Sequence, residues 1–343
     1  MKRSWVTMDH ISKECGLSKM TVSRVLTGRG KVSQKTKQLV LQTSERLKYE
    51  PNNLARNFSA NRSGFIGIAT LFDCLVGSNY FGEVFRGFQH ALKDSSYNFA
   101  LFDTKLESAD DGASLAKLYH QRKVDGLLIV APHTNDYFLN SLANLGVPLV
   151  VFGESHPCES ICTVSSDDVH GVTLLCKHLA GLGHKRVGFV SGPGILTSAR
   201  RREHAFTNFF AKEGIAIPPE YMQEGDYTMR SGRKAGMTLL TLPEPPTAIV
   251  AANDLSAYGV IESARQLNLR IPEDISVVGF DDLPTAAERC PSLTTIHQPI
   301  SEMAHKGATL LEEALKAGTS PRGHFGLDVS LVVRESTTRP KHS

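Results

Sequence analysis

Beyond residue 64, short apolar segments alternate with longer amphipathic stretches along almost the whole chain. Residues 65–72 form a predicted strand, 80–93 a helix and 97–102 a second strand, and predicted strands at 126–131 and 147–152 continue this order. Continuous apolar runs of this length are typical of strands that are buried on both faces. Strands that alternate with helices predict a parallel sheet covered on both sides. The chain is therefore predicted to be an α/β protein.

A second round of the same alternation begins near residue 169. It runs from a predicted helix at 169–181 to a predicted strand at 275–279, and late elements follow at 293–296, 300–316 and 327–334. A chain of 343 residues is long enough for two or three domains. We therefore expect two doubly wound lobes of similar size, each with its own parallel sheet.

Composition indicates a reducing compartment. The chain is 41% apolar, but its longest apolar runs are far shorter than the roughly 20 residues that span a bilayer. The first twenty residues are rich in charge and lack an apolar core, so we expect no secretory signal. The six cysteines are scattered, and Cys158 and Cys162 have no second pair that would complete a zinc site. We expect a cytoplasmic protein without a membrane partner, metal or cofactor.

Charge divides the chain into two parts. Residues 1–62 hold 13 Lys and Arg against 4 Asp and Glu, a net charge of +9, whereas the remainder holds 25 against 31, a net charge of −6. A small module that is this basic favours a polyanionic partner. The alternative is a solvated basic face that binds nothing.

The basic module has the pattern of three short helices. Gly16 breaks the first, and Ser18 can cap a second at 19–26. One face of the second helix is apolar, and its outward face carries Lys19, Met20, Ser23 and Arg24. In the third helix, the residues expected to face inward are Leu39, Val40 and Leu47. A helix, a glycine turn and a second helix with these two faces indicate a helix-turn-helix.

One continuous segment carries a family resemblance: VTMDHISKECGLSKMTVSRVLTGRGKVSQKTKQLVLQTSERLKYEPNNLAR. Its glycine turn, TVSRVL, VSQKT and LKYEPN have the order and spacing of the lactose-repressor/galactose-repressor (LacI/GalR) family of bacterial transcription regulators, which the segment closely resembles. The resemblance continues through nearly the whole chain. It implies an all-α helix-turn-helix DNA-binding domain at 1–50 and a hinge helix at 51–62, followed by a core similar to periplasmic binding proteins. The implied core lobes are discontinuous: 63–161 with 293–322 forms the N-terminal lobe, and 162–292 with 323–340 forms the C-terminal lobe.

The resemblance also implies which residues contact DNA. The family's second helix lies in the major groove, so Lys19 and Met20 would set sequence preference while Arg24 contacts a base or a phosphate. In the hinge, Phe58 stands where the family has a leucine that enters the minor groove, so an aromatic wedge and a contact with the partner hinge both stay open. The implied DNA contacts are Ser18, Lys19, Met20, Thr21, Ser23, Arg24, Ala55, Arg56 and Phe58.

Ligands in cores of this kind bind between the lobes, at the carboxyl ends of strands. Carried over by resemblance, the effector contacts are Phe81, Asp167, Arg202, Tyr227, Asn253 and Asp281, and Asp168 could replace Asp167. A guanidinium, carboxylates, an amide and aromatic faces suit a neutral polyhydroxylated ligand. Taken singly, each polar member could instead be a helix cap or a surface group. We expect a sugar effector, with a nucleobase as the alternative.

Catalytic motifs are missing from the sequence. Gly192-Pro193-Gly194 lacks the spacing of a dinucleotide or phosphate loop, and neither G-x-S-x-G nor H-E-x-x-H occurs. We therefore expect a ligand-responsive repressor rather than an enzyme or a periplasmic binding protein. Helix-turn-helix modules of this type read two half-sites of a pseudo-palindromic operator, which requires a homodimer. The sequence leaves open whether the effector is an inducer or a corepressor.

Overall fold

The computed structural model of the protein describes residues 6–28, 30–50, 62–70, 78–103, 112–130, 137–153 and 158–341. The chain divides into two compact units, Met1–Arg62 and Ser63–Ser343. In these described ranges, every helix is too short or too polar to cross a bilayer.

The first unit contains the helices α1 (Met8–Cys15), α2 (Lys19–Thr27) and α3 (Gln34–Arg46). Gly16 and Gly28 end α1 and α2 in the left-handed conformation, with φ of 62° and 69°, which glycine adopts without a steric penalty. The core of the unit joins all three helices through Ile11, Val22, Val25 and Val40. Leu47 packs against this core as predicted, but the prediction for Leu39 is wrong because its side chain is 44% exposed.

The second unit opens with β1 (Phe65–Thr70), α4 (Asn79–Ala91), β2 (Asn98–Asp103), α5 (Ala113–His120), β3 (Gly126–Val130), α6 (Tyr137–Asn144), β4 (Leu149–Phe152) and β5 (Cys162–Ser166). These strands and β11 (His324–Leu327) form a parallel sheet in the order β11-β5-β4-β3-β1-β2. The long helix α12 (Ile300–Ala317) packs on this sheet beside α4. The first lobe is therefore a doubly wound α/β unit.

The second sheet is also parallel and has the order β7-β6-β8-β9. Its elements are α7 (Asp168–Leu182), β6 (Val187–Val190), α8 (Thr197–Lys212), a 3-10 turn at Pro219–Tyr221, β7 (Met222–Gln223), α9 (Met229–Leu240), β8 (Ala248–Ala251), α10 (Asp254–Gln266), β9 (Ser276–Val278) and α11 (Thr285–Glu288). β10 (Thr295–His297) pairs antiparallel with β12 (Ser330–Val332). The predicted pair of doubly wound lobes is confirmed.

Strand pairing shifts two of the predicted lobe boundaries. Cys162–Ser166 pairs with β4 and His324–Leu327 pairs with β5, so both belong to the first sheet rather than to the C-terminal lobe. Their place follows from packing, because Cys162 and Val164 lie in the same core as Val150 and Leu311. The single strand predicted at 327–334 is two strands in different sheets. The chain therefore leaves the first sheet after Ser166 and again after Leu327.

Candidate DNA-binding and effector sites

The outward face of α2 carries the residues that the family resemblance assigns to DNA. Val22 and Val25 anchor the helix in the core, which turns Lys19, Met20 and Arg24 to the exposed side. Met20 is 65% exposed, so its side chain is accessible to a partner of the helix. The predicted outward placement of these side chains is confirmed, whereas their individual roles on DNA remain predictions.

Hydrogen bonds already engage some of these side chains. The Ser18 hydroxyl caps α2 by accepting from the Thr21 amide at 3.2 Å, and Lys19 Nζ lies 2.9 Å from Asp9 Oδ2 on α1. An exposed ion pair of this kind contributes only about 0.2–1 kcal/mol, so DNA can displace it at little cost. The hinge candidates Ala55, Arg56 and Phe58 lie outside the described residues.

The proposed effector residues of the second lobe lie together at one edge of its sheet. Asp281 follows β9, Asn253 follows β8, Tyr227 follows β7, and Arg202 lies on α8, which follows β6. Because the sheet is parallel, all these segments begin at the carboxyl ends of the strands. Four residues from four separate segments therefore converge on one place.

Arg202 is the centre of this group, which we call the Arg202 cluster: Asp168, Arg202, Tyr227, Asn253, Phe280 and Asp281. Arg202 is almost fully buried, and its Nε donates to Asp168 Oδ1 at 2.8 Å. Its Nη1 donates to the Ala252 carbonyl at 2.6 Å and lies 3.9 Å from Asp281 Oδ1. Its guanidinium also stacks on the Phe280 ring, 3.7 Å from the centroid. These contacts fix the cation in one orientation.

Tyr227 and Asn253 form the other side of the cluster. The Arg202 guanidinium lies 5.9 Å from the centre of the Tyr227 ring, and the Asn253 amide donates to the Tyr227 carbonyl at 3.1 Å. Asn253 also caps α10 by accepting from the Ser256 amide at 2.9 Å. Asn253 is therefore a helix cap, which the sequence left open as an alternative, and it also contacts Tyr227.

The two neighbouring aspartates of α7 have different roles. Asp167 caps the helix by accepting from the His170 amide at 2.9 Å, whereas Asp168 is buried and pairs with Arg202. The structure therefore places Asp168 in the cluster, the alternative that the sequence left open. Helical geometry explains the difference, because the capping residue lies before the first turn while the next side chain projects toward α8.

Phe81 lies in a different environment from the rest of the predicted set. Its side chain is buried with Val84 and Phe88 in the core of the first lobe, and Leu283 belongs to the same apolar core. Leu283 lies two residues after Asp281, so the core that holds Phe81 reaches the turn next to the Arg202 cluster. The contact of Phe81 with effector stays a prediction. A periodic apolar position at the start of an amphipathic helix is the signal for this core role.

The cluster holds more buried carboxyl groups than cations. Burial raises the pKa of Asp281 well above its usual range, although the nearby Arg202 guanidinium opposes this shift. Burial also raises the pKa of Asp168, again opposed by Arg202. Asp254, which sequence reasoning missed, is completely buried, and burial raises its pKa to about 7. A site with this excess of acceptors suits a ligand that donates hydrogen bonds and carries no negative charge.

Strained backbone also marks the cluster. Tyr227 has φ of 65° and Asp281 has φ of 131°, both in the region that side-chain-bearing residues rarely adopt. Gly192 makes room for the Tyr227 ring, because a Cβ there would lie 2.3 Å from two ring carbons. Strain of this kind persists only where the surrounding contacts fix it, and such positions concentrate at ligand sites.

The fold and these two sites define a DNA-binding regulator with a ligand-binding core. Residues 7–52 match the family described as bacterial regulatory proteins, lacI family, and residues 176–337 match the periplasmic binding protein-like domain. Residues 7–52 are therefore a DNA-binding module of the lacI family, as the resemblance implied. The protein is a ligand-responsive DNA-binding transcription regulator, which agrees with the expectation of a regulator rather than an enzyme.

Relatives of this chain cover almost its whole length. The HTH-type transcriptional repressor CytR of Escherichia coli (strain K12) is 29% identical over 96% of both chains, and the HTH-type transcriptional regulator DegA of Bacillus subtilis (strain 168) is 29% identical over 97% and 98%. The lac repressor dimer bound to operator and the anti-inducer ONPF matches with a TM-score of 0.86 at 27% identity, over 98% of this chain and 100% of that one. The complex of the transcriptional regulator CelR with cellobiose matches with a TM-score of 0.73 at 27% identity, over 96% and 99%.

Proposed function

We propose that this protein is a homodimeric repressor that reads a pseudo-palindromic operator through α2 and responds to a sugar held at the Arg202 cluster. The convergence of Arg202, Tyr227, Asn253 and Asp281 at the carboxyl edge of one parallel sheet carries the effector part of the proposal. The cellobiose found in the CelR complex supports a sugar rather than a nucleobase.

The chemistry of the cluster fits a neutral polyhydroxylated ring. Carboxylate oxygens accept from sugar hydroxyls, a guanidinium and an amide donate to them, and an aromatic ring packs against the apolar face of the sugar. The carboxyl groups of Asp168 and Asp281 outnumber the single guanidinium of Arg202, which disfavours an anionic effector. A neutral ligand pairs with this group without leaving a buried charge unmatched.

The effector proposal is tested by the change in operator affinity that an effector causes. The full chain is bound to DNA from its own promoter, and a panel of mono- and disaccharides that includes cellobiose is added, with nucleobases as a second panel. Asp281→Asn should weaken the response by about tenfold or more, because a buried hydrogen-bonding partner costs about 1–3 kcal/mol when lost. Asp274→Asn, at an exposed ion pair with Arg270, is the matched control. A response to nucleobases alone would refute a sugar as the effector. An unchanged response of Asp281→Asn would refute the Arg202 cluster as the effector site.

Operator reading is tested on α2. Exchanging Lys19 and Met20 for other side chains should change which half-site is preferred, because both project from the exposed face of the helix. Arg24→Ala should weaken specific binding by about 1–3 kcal/mol. Lys35→Ala, at an exposed position of α3, is the control for a general loss of positive charge. If half-site preference is the same after the exchange, α2 is not the reading helix.

A homodimer requires a self-complementary surface, and the first lobe offers one. Phe85 on α4 is 38% exposed and Leu101 on β2 is 45% exposed. The Phe85 ring meets the Phe99 ring edge-on at 4.8 Å, and β2 lies at one end of the sheet order. An apolar patch at a sheet edge suits a second copy of the chain. Leu101→Lys should lower the sedimentation mass to that of one chain, whereas Leu145→Lys, at another exposed leucine, should leave the dimer intact.

A further inference from the structure

Asp254 has more connections than its position at the start of α10 requires. Its side chain is completely buried, its Oδ1 accepts from the Thr295 hydroxyl at 2.5 Å, and its Oδ2 accepts from the Leu283 amide at 2.9 Å. Its own amide donates to the Phe280 carbonyl at 2.8 Å. An acidic residue in the first turn of a helix usually needs only the favourable helix dipole, and it usually stays in water. These contacts indicate a further role.

The turn at 279–283 is the segment that Asp254 holds. Two successive residues of this turn, Asp281 and Asp282, have positive φ values of 131° and 56°. A Cβ on Gly279 would lie 2.3 Å from Asp254 Oδ1, so only glycine lets the carboxyl group come this close. Two adjacent residues in strained conformations need contacts from outside the turn to keep them there. Asp254 supplies such contacts at both ends of the turn.

The other partner of Asp254 lies on the chain segment that returns to the first lobe. Thr295 belongs to β10, and the carbonyl of the next residue, Ile296, accepts a hydrogen bond from the Asp281 amide at 3.0 Å. On the opposite side of the turn, Asp282 pairs with Arg334 at 2.6 Å and with His297 at 3.0 Å. The turn that carries Asp281 is therefore held from both sides, an arrangement we call the clamp. On the buried side of the turn, the clamp is the Asp254 carboxyl group alone.

We infer that Asp254 is a positioning residue for the effector site, since it holds the turn at 279–283 so that the Asp281 carboxyl group faces Arg202. This inference deepens the proposed function and rests on it only for the role of Asp281 in binding effector. The geometry of the clamp stands without any ligand. It predicts that the Arg202–Asp281 arrangement is lost when Asp254 loses its two hydrogen bonds, and is kept when an isosteric side chain preserves them.

The charges around the clamp give the test a second readout. Asp254 faces Asp282 and Arg334, Asp281 faces Arg202 and Asp168, and the Tyr258 hydroxyl lies close to both turn and helix. Burial is the main reason that the pKa of Asp281 is raised, and the nearby Asp254 carboxyl group raises this pKa further, because a second negative charge disfavours ionisation. Removing the charge of Asp254 should therefore let Asp281 ionise at a lower pH.

The experiment uses the full chain without DNA or effector, so its failure is separate from a failure of the proposed function. The Arg202 Nε–H signal, assigned with Arg202→Lys, reports the geometry of the guanidinium. The carboxyl carbon signal of Asp281, assigned with Asp281→Asn, reports its ionisation across pH. The variants are Asp254→Asn, Asp254→Ala and the control Asp274→Asn.

In Asp254→Asn, the new amide can donate to Thr295 Oγ1 while its oxygen still accepts from Leu283. We expect the Arg202 signal to keep its wild-type position and the Asp281 midpoint to fall by about one pH unit. Asp254→Ala should shift and broaden the Arg202 signal, because the turn is released. If both variants give the same Arg202 signal and the same Asp281 midpoint, Asp254 acts only through its charge and the positioning role is refuted. If Asp254→Ala does not fold, Thr295→Val must displace the Arg202 signal, and an unchanged signal refutes the inference.

Discussion

Replacing Arg202 by methionine is expected to destabilise the protein by about 3–5 kcal/mol, the usual cost of removing one partner from a buried ion pair. Methionine supplies an apolar side chain of similar length but removes the guanidinium that stacks on Phe280 and donates to Asp168 and to the Ala252 carbonyl. The loss leaves the carboxyl groups of Asp168 and Asp281 buried without their cation. Against a total stability of about 5–15 kcal/mol, this is a large fraction.

The same structure predicts that this cost depends on pH. Burial raises the pKa values of Asp168 and Asp281 above the values in the unfolded chain, and Arg202 holds both shifts down. A carboxyl group with a raised folded pKa stabilises the fold below its unfolded pKa, and this contribution is lost as pH rises through the folded pKa. Without Arg202 both folded pKa values rise further, so the loss of stability continues to a higher pH and is larger in total. The variant should therefore lie closer to wild type at pH 5 than at pH 8.

Urea unfolding followed by circular dichroism measures these differences at both pH values. Arg270→Met is the control, because Arg270 pairs with Asp274 at the surface, where solvent screens the pair, and its loss should have little effect on stability. Asp168→Asn is then combined with Arg202→Met, since it removes the stranded charge. The coupling energy should be about 1–3 kcal/mol. A coupling energy near zero, together with a deficit that is equal at pH 5 and pH 8, would show that the Arg202–Asp168 pair is not the source of the stability.

Three further changes test other parts of the site. Gly192→Ala should lower the free energy of unfolding by about 1–3 kcal/mol, because the new Cβ overlaps the Tyr227 ring. Adding Tyr227→Ala should recover most of this loss. No recovery in the double variant would contradict the overlap. Asp167→Ala should cost about 1 kcal/mol by removing the α7 cap while leaving the Arg202 Nε–H signal in place; a displaced signal would put Asp167 in the cluster. The wild-type free energy of unfolding should fall by up to roughly 4 kcal/mol between pH 4 and pH 7, because the folded pKa of Asp254 is about 7. Asp254→Asn should make this fall smaller. If wild type and variant lose stability in parallel, other groups cause the fall.

Short-range signals in the sequence were enough to predict the helices of the first unit and the two parallel sheets of the second. Ser18 and Ser33 cap their helices through bonds to residues three positions on, and Gly16 ends α1 in a conformation that glycine adopts freely. Such features depend only on a few neighbouring residues, so they can be read from a short window. The alternation of apolar and amphipathic segments likewise predicts two parallel sheets, because burial on both faces requires continuous apolar strands.

Sequence reasoning failed where the local pattern is ambiguous. β5, Cys162–Ser166, contains threonine and serines instead of an apolar run, and the prediction passed over it. Leu39 fits the apolar spacing of α3 and yet is exposed. β5 forms because it pairs with β4 and β11, and both partners lie outside the short window from which a strand is predicted.

The arrangement of the cluster is a property of the tertiary structure alone. Asp167 and Asp168 are adjacent and chemically identical. The packing of α7 against α8 leaves Asp167 as the cap of α7, bonded to the His170 amide, and brings Asp168 to Arg202, 34 positions further on. Asp254 is buried because residues 279–283 and Thr295 close around it. Local sequence therefore determines which helices and strands form, whereas long-range packing decides which carboxyl groups leave water and which cation they meet. The energy of a buried charge depends on every segment around it, and no single segment encodes that environment.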